Sequence, residues 1–419
     1  GHRGFPLRRA EVPVAGTLSF GILLVSQLAA TAGFMFVMPF MPLYVQQLGV
    51  ESAGDAAAWA GLLNTATAAT MALAAPLWGR LADRLGPKSM LMRAAFAGAL
   101  VVGLMGLATS PWQLLALRLV QGTLTGTVAA ATVLVSATAP QGRAGQRLGT
   151  LQMIIFVAAA LGPFMGGLFA ELVGIRASFG VTGALLFVSG VLVLFGVEGA
   201  ESAPEEEEGR AETAGPLPKM GLLIGLIPLF FVHVAITGVQ PALPGFVGEL
   251  TGASGGVAGL SGQIIGAGAL AAALGSVVGG KLAERLGAQR VMISALVLAG
   301  LASLPQAAVA SIPELFALRV LASFALGAVI PVANLVVRAS VPAERQGEAF
   351  GVAASATSVA FGIGPLGGGL LAASFGFGAP FFVPGVLLLA ASAVLVVLAV
   401  IATPRYVRML KMVLASLVS

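Results

Sequence analysis

The 419-residue chain has no cysteine, which removes disulfides, thiolate nucleophiles and Cys-ligated metals from its chemistry. Charge is scarce too: 9% of residues, where soluble domains carry roughly 25%. Seventeen acids and 22 bases cannot cover a water-facing surface of this size. Two histidines leave little for a metal cluster, and no nucleotide-cradling GxxxxGK[ST] loop or nucleophile elbow occurs. An enzyme is therefore not expected, and neither is a metal, a cofactor or a nucleic-acid partner. What the chain has in quantity is apolar: 58% hydrophobic residues, 57 glycines and a mean hydropathy of +0.99. Its solvent is lipid.

A bilayer crossing takes about 20 apolar residues of helix. Runs of that kind lie near 18–45, 57–78, 89–109, 112–139, 149–172 and 178–197, and again near 220–249, 259–280, 291–310, 314–341, 349–375 and 380–403. None alternates as a barrel strand does, and hydrocarbon offers no partner to open backbone groups. The expected fold class is an all-α membrane protein of twelve transmembrane helices in two six-helix bundles, residues 1–197 and 220–403. Between them, residues 198–219 hold seven acids and three prolines and read as a solvated tether. Residues 404–419, basic and apolar by turns, read as an amphipathic tail on the membrane surface. Gly1 to Arg9 read as a trimmed start rather than a cleaved signal.

Nineteen of the 22 Lys and Arg fall in alternate loops, in the tether and at both termini, so these are expected on the cytoplasmic side of the membrane. Arg176 lies on the opposite side, and Arg118 and Arg319 lie inside spans.

The halves repeat. Gly79-Arg80-Leu81-Ala82-Asp83-Arg84-Leu85-Gly86 recurs as Gly280-Lys281-Leu282-Ala283-Glu284-Arg285-Leu286-Gly287, and Arg118 recurs as Arg319, at an offset of 201. Pro39, Pro42 and Gly162-Pro163 recur as Pro241, Pro244 and Gly364-Pro365 at 202. Six helices is an even number, so both halves enter from one side and are related by an axis along the membrane normal.

Gly79 to Lys88 (GRLADRLGPK), the span-four segment LALRLVQG around Arg118, Gln121 and Gly122, and Gly162-Pro163-Phe164-Met165-Gly166-Gly167 resemble three motif regions of the major facilitator superfamily. The last is similar to the pattern of its drug:proton antiporters, and Val37 to Val50 resembles the MdtG-like multidrug efflux branch. This resemblance implies a proton-coupled exporter of small amphipathic compounds that works by alternating access. It implies a gate formed by Gly79, Asp83, Arg84, Gly86 and Lys88 with the copies Glu284 and Arg285, in which Asp83 bridges to bases and a helix N-terminus of the other bundle in the outward-facing state. A second role for this loop is topological, as a positive-inside turn.

The Gly-Pro pairs, with Gly166 and Gly167, permit close helix approach and are expected at the seam between bundles. Arg118 and Arg319 are costly in hydrocarbon unless they face water or an acceptor. They either face a cavity or tie helices together through carbonyls. Gln27, Thr31, Phe34 and Met38 share one face of span one. His233, Thr237 and Gln240 do the same in span seven. With Gln121 and Asn334 these are the candidate cavity residues; Phe40, Met35, Phe230 and Phe231 would add apolar lining. No acid lies mid-span, a departure from many relatives, which leaves His233 and Asp83 as candidate proton carriers. Two arginines without an acid would equally suit anionic or zwitterionic cargo, such as an organophosphate or a lysolipid. A non-transporting receptor is a third reading. The expected working unit is a monomer.

Overall fold

The computed structural model describes residues 16–140, 143–198, 219–252, 256–342 and 345–401. The acidic tether, apart from its end residues, and the amphipathic tail lie outside the described residues. Those described form helices and turns without a strand, and twelve helical passages are long and apolar enough to cross a membrane.

Span 1 is Thr17–Phe36, a 3-10 turn at Met38–Phe40 and a short helix Met41–Gln47. Spans 2 and 3 are Ala53–Leu85 and Pro87–Met105. Span 4 is Pro111–Leu124 followed by Thr127–Thr138, and spans 5 and 6 are Ala144–Val173 and Ile175–Gly196. The second half repeats the plan. Span 7 is Lys219–Gly238 with Leu243–Thr251, span 8 Val257–Leu286 and span 9 Ala288–Ser303. Spans 10, 11 and 12 are Ile312–Ala339, Gln346–Phe375 and Ala379–Ile401.

Local chemistry sets the ends. Ser52 and Ser110 accept hydrogen bonds from the amides of Asp55 and Gln113, and Pro87 and Pro111 occupy first helical positions, where a missing N–H costs nothing. Spans 2 and 8 outrun their apolar stretches. They continue through the basic repeat until Gly86 and Gly287 turn the chain at φ +79° and +90°.

Span 4 departs from the expected continuous helix. It breaks at Thr125-Gly126, where Gly126 takes φ +136° and Thr125 folds both its amide and its hydroxyl back onto the Gln121 carbonyl, at 2.9 and 2.7 Å. The copy of Gly126 is Gly327, and there span 10 stays helical. Gly327 lies so close to the Ala272 carbonyl of span 8 that an added Cβ would come within 2.0 Å of it. One glycine position serves as a hinge in the first half and as a packing notch in the second.

Each bundle has its own apolar core: Phe40, Tyr44, Met105, Phe179 and Leu186 in the first, Met292, Leu296, Val329, Val332 and Leu388 in the second. Large apolar side chains point outward elsewhere, among them Leu73 and Phe195 at 81% and 83% exposure, as a lipid-facing surface requires.

Two seams join the bundles, spans 2 against 11 and spans 5 against 8. Along the first, Gly54 meets Ala373, Gly369 meets Ala57 and Ala58, and Gly61 meets Pro365. The Thr65 hydroxyl ends this run by donating to the Gly362 carbonyl. Along the second, Gly167 meets Ala258, Gly262 meets Pro163 and Gly266 meets Ala160. Every one of these contacts lies in the half of the membrane away from the tether. The short helices Met41–Gln47 and Leu243–Thr251 also touch at that distal end, where Ala57 of the first half joins a cluster of Val239, Leu243 and Phe246. Toward the tether face span 2 exposes Met71 and Leu77, and span 11 exposes Val359 and Phe361.

Candidate functional site

The Gly-Pro pairs sit at these seams in matching poses. Gly162 packs within its own bundle on Ala32 and Met35 of span 1, while the Pro163 carbonyl faces Gly262 of the other bundle. Gly364 packs on Thr237 of span 7, and the Pro365 carbonyl faces Gly61 across the other seam. Gly166 lies over Phe36, and Gly167 meets Ala258 across the seam. Each pair thus joins an intra-bundle contact to an inter-bundle one.

Arg118 is 4% exposed. Its guanidinium donates to Gln121 Oε1 at 3.1 Å and lies 3.6 Å from the sulfur of Met41, its backbone carbonyl accepts from the Thr67 hydroxyl, and its Nε is buried without a partner. Arginine, glutamine and methionine therefore tie spans 1, 2 and 4 together beside the break in span 4. Arg319, 8% exposed, stands near Gly268 and Ser323 between spans 8 and 10, with no ion pair to a carboxylate among the described residues. Both arginines are turned inward, away from lipid.

Gln27 and Thr31 are buried, and their side-chain polar atoms have no partner among the described residues; the same holds for the Ser189 hydroxyl. Span 1 runs antiparallel to span 6, with Gly33 beside Leu186 and Ile22 beside Gly196, which sets Gln27 level with Ser189. Buried polar atoms without protein partners call for water or ligand. Phe34 reaches Gly98 of span 3 near Thr125, one turn further along. Met38 sits in the 3-10 turn, half-buried.

In the second bundle His233 Nδ1 lies 2.7 Å from the Leu229 carbonyl, the geometry of a ring N–H donor, and the ring packs 5.2 Å from Phe361 of span 11. Thr237 donates to the His233 carbonyl at 2.7 Å. Gln240 and Asn334 are half-buried on spans 7 and 10. Of the apolar candidates, Phe40 is wholly enclosed against Phe179 and belongs to the core rather than to a cavity wall. Phe230 and Phe231 form an edge-to-face pair with each other.

The sequence matches the Major Facilitator Superfamily twice, over residues 23–238 and 225–411. The chain belongs to this superfamily. It is 35% identical over 377 residues to the multidrug resistance protein MdtG of Citrobacter koseri, covering 89% of this chain and 93% of that one. MdtG of Proteus mirabilis is 34% identical over 355 residues, 84% and 88% of the two chains. Among solved structures, a bacterial homolog of the human lysosomal transporter Spinster, in an inward-facing and occupied conformation, matches with a TM-score of 0.74 at 18% identity, covering 92% of this chain and 97% of that one. The human organic anion transporter MFSD10 matches at 0.65 and 18%, covering 90% and 98%. At such identity these two speak to the fold.

This facilitator is therefore a twelve-span membrane transporter. In its repeated basic segment Gly79, Arg80 and Arg84 are exposed, as are Lys281, Glu284 and Arg285, and a Cβ on Gly79 or Gly280 would meet nothing within 4 Å. The Asp83 side chain lies outside the described residues. Lys88 donates to the Leu194 carbonyl at 3.0 Å, a cation on the last turn of span 6, where the helix dipole favours it.

Two residues went unnoticed in the sequence. Arg93, counted there as a loop base, lies within span 3 and stacks over Trp78 at 3.3 Å from the ring centroid; Trp78 in turn donates to the Thr123 carbonyl at 2.5 Å. A spacing of fifteen residues across two helices gives no local pattern for such a pair. The other is Glu171, near the distal end of span 5. Its Oε1 accepts from the Gly259 amide of span 8 at 2.7 Å, across the seam.

Proposed function

We propose that this facilitator exports small amphipathic compounds across a bacterial cytoplasmic membrane by alternating access, in exchange for protons. One observation carries the access cycle: both seams close over one half of the membrane only, leaving the bundles free to part toward the tether face. The positive-inside distribution of Lys and Arg makes the tether face cytoplasmic. The conformation is then inward-open, and the Asp83 gate is expected to engage in the opposite state. The MdtG relatives, aligned over most of both chains, support a multidrug cargo. The candidate pocket is Gln27, Thr31, Arg118 and Gln121 on one side with His233, Thr237, Gln240, Arg319 and Asn334 on the other. His233 in span 7, with one ring nitrogen committed to Leu229, can bind a proton on the other and is, with Asp83, a candidate proton carrier.

Purified protein in liposomes with an imposed pH gradient provides the test. Accumulation of a fluorescent amphipathic cation that rises with the gradient and falls when it is collapsed supports antiport; flux indifferent to the gradient removes it. A second reading rests on Arg118 and Arg319, two buried guanidinium groups with no carboxylate partner among the described residues. They favour anionic or zwitterionic cargo, so competition between amphipathic cations and anions of equal size in the same liposomes decides between the two.

A further inference from the structure

We infer that Glu171 is an inter-bundle latch that holds the distal gate shut in the conformation described here. Span 8 begins at Val257 behind Gly256, which has φ +78° and no side chain with which to cap the helix. Among the described residues, no side chain of its own bundle caps its first-turn amides. Glu171, on span 5 of the other bundle, supplies it: the carboxylate accepts from the third helical amide, Gly259 N–H, at 2.7 Å, where both hydrogen bond and helix dipole favour a negative charge. A Cβ added to Gly259 would stand 2.7 Å from both carboxylate oxygens, so a larger residue there must displace the Glu171 side chain from this contact.

The other seam shows that this arrangement is not a general need of the fold. The copy of Glu171 is Ala373, which packs on Gly54 at the start of span 2, and span 2 is capped from within by Ser52. One seam caps its helix in cis, the other in trans. A cap in trans exists only while spans 5 and 8 touch at their distal ends, so it stabilises the closed distal gate and vanishes when that gate opens. Glu171 is itself exposed at the rim, so water can replace Gly259 as its partner and the latch stays reversible.

The inference rests on the alternating-access reading, and its test reads conformation without cargo. The absence of cysteine permits spin labels at single introduced cysteines without prior substitution. Labels at Leu107 and Ala308 on the distal face, measured by double electron–electron resonance in nanodiscs, report the gate. Glu171→Ala is expected to raise the ratio of long to short distances about fivefold, the typical loss of a capping side chain. Glu171→Gln, which keeps shape but loses charge, should move it less in the same direction. Hydrogen exchange of the peptide containing Gly259 should quicken in both. Glu249→Gln, another distal carboxylate without this contact, should change neither readout. Unchanged distances in Glu171→Ala, or an equal shift in Glu249→Gln, overturns the latch. Flux that ignores a pH gradient while the distances still shift removes proton exchange and leaves the latch standing.

Discussion

Consider alanine in place of Gly262. The Cβ it adds would lie 2.3 Å from the Pro163 carbonyl oxygen and 3.2 Å from the Gly167 Cα, both backbone atoms of the opposing span. Backbone cannot swing aside as a side-chain tip can, so spans 5 and 8 must separate by about an ångström to regain contact distance. Overpacking of this kind costs about 1 to 3 kcal/mol, charged only to the conformation in which the distal seam is closed. The population of the distal-open form should therefore rise about 5- to 150-fold relative to the closed form. The seam's twin offers an independent trial, because a Cβ on Gly61 would lie 2.2 Å from the Pro365 carbonyl. Gly280→Ala is the control. Nothing lies within 4 Å of its Cβ, and the better helix former should leave stability equal or raise it by about 0.5 to 1 kcal/mol. Distances between labels on the distal face read the populations directly. If Gly262→Ala leaves them where Gly280→Ala does, the seams are not where the two conformations differ, and the access cycle proposed here fails.

Tyr44→Phe should destabilise the first bundle by about 0.5 to 1.5 kcal/mol, seen in detergent unfolding, because it removes the buried hydroxyl's bond to the Met105 carbonyl at 2.6 Å while that carbonyl keeps the Ala108 amide as a donor. Arg118→Lys should fold normally by size-exclusion chromatography yet transport at least tenfold more slowly, since a point-like ammonium cannot reach both Gln121 and Met41 as the planar fork does. Undiminished flux would assign Arg118 to packing alone. His233→Gln keeps a donor for the Leu229 carbonyl but cannot titrate, so downhill flux should persist while acceleration by a pH gradient disappears. Asp83→Asn should slow exchange and leave cargo binding within a few fold; exchange at the parent rate would free Asp83 from gating.

How much of this was legible before folding follows from the kind of interaction involved. Composition set the solvent, and apolar run length set twelve crossings, because a helix in hydrocarbon must satisfy its backbone within itself. The repeat at 201 to 202 residues carried the doubled plan, and it placed the Gly-Pro pairs in equivalent positions. Helix length was harder to read: spans 2 and 8 continue into their basic segments because glycine, not polarity, ends them. The break in span 4 was hidden for a related reason. Gly126 and Gly327 occupy equivalent positions, and only the neighbour each one meets separates a hinge from a notch.

The same holds for the site. The residue types that line spans 1, 4, 7 and 10 stand out in an apolar chain by their polarity alone, so sequence could name Gln27, Arg118, His233 and Arg319 as the ones that need partners. Which partners they have is a matter of helix rotation and depth, and no local pattern encodes those: Arg118 found Gln121 and Met41, while Gln27 found none among the described residues. Glu171 illustrates the limit. At a helix end it looked like an ordinary surface acid, and it becomes a gate contact only because packing brings an uncapped helix from 88 residues further along the chain to within 2.7 Å of it. Sequence by itself determined the solvent, the number of crossings and their duplication, which depend on local hydrophobicity and backbone hydrogen bonding. Tertiary structure decided which half of each seam is closed and what closes it, since those depend on close contacts that a gap of about half an ångström to one ångström already weakens.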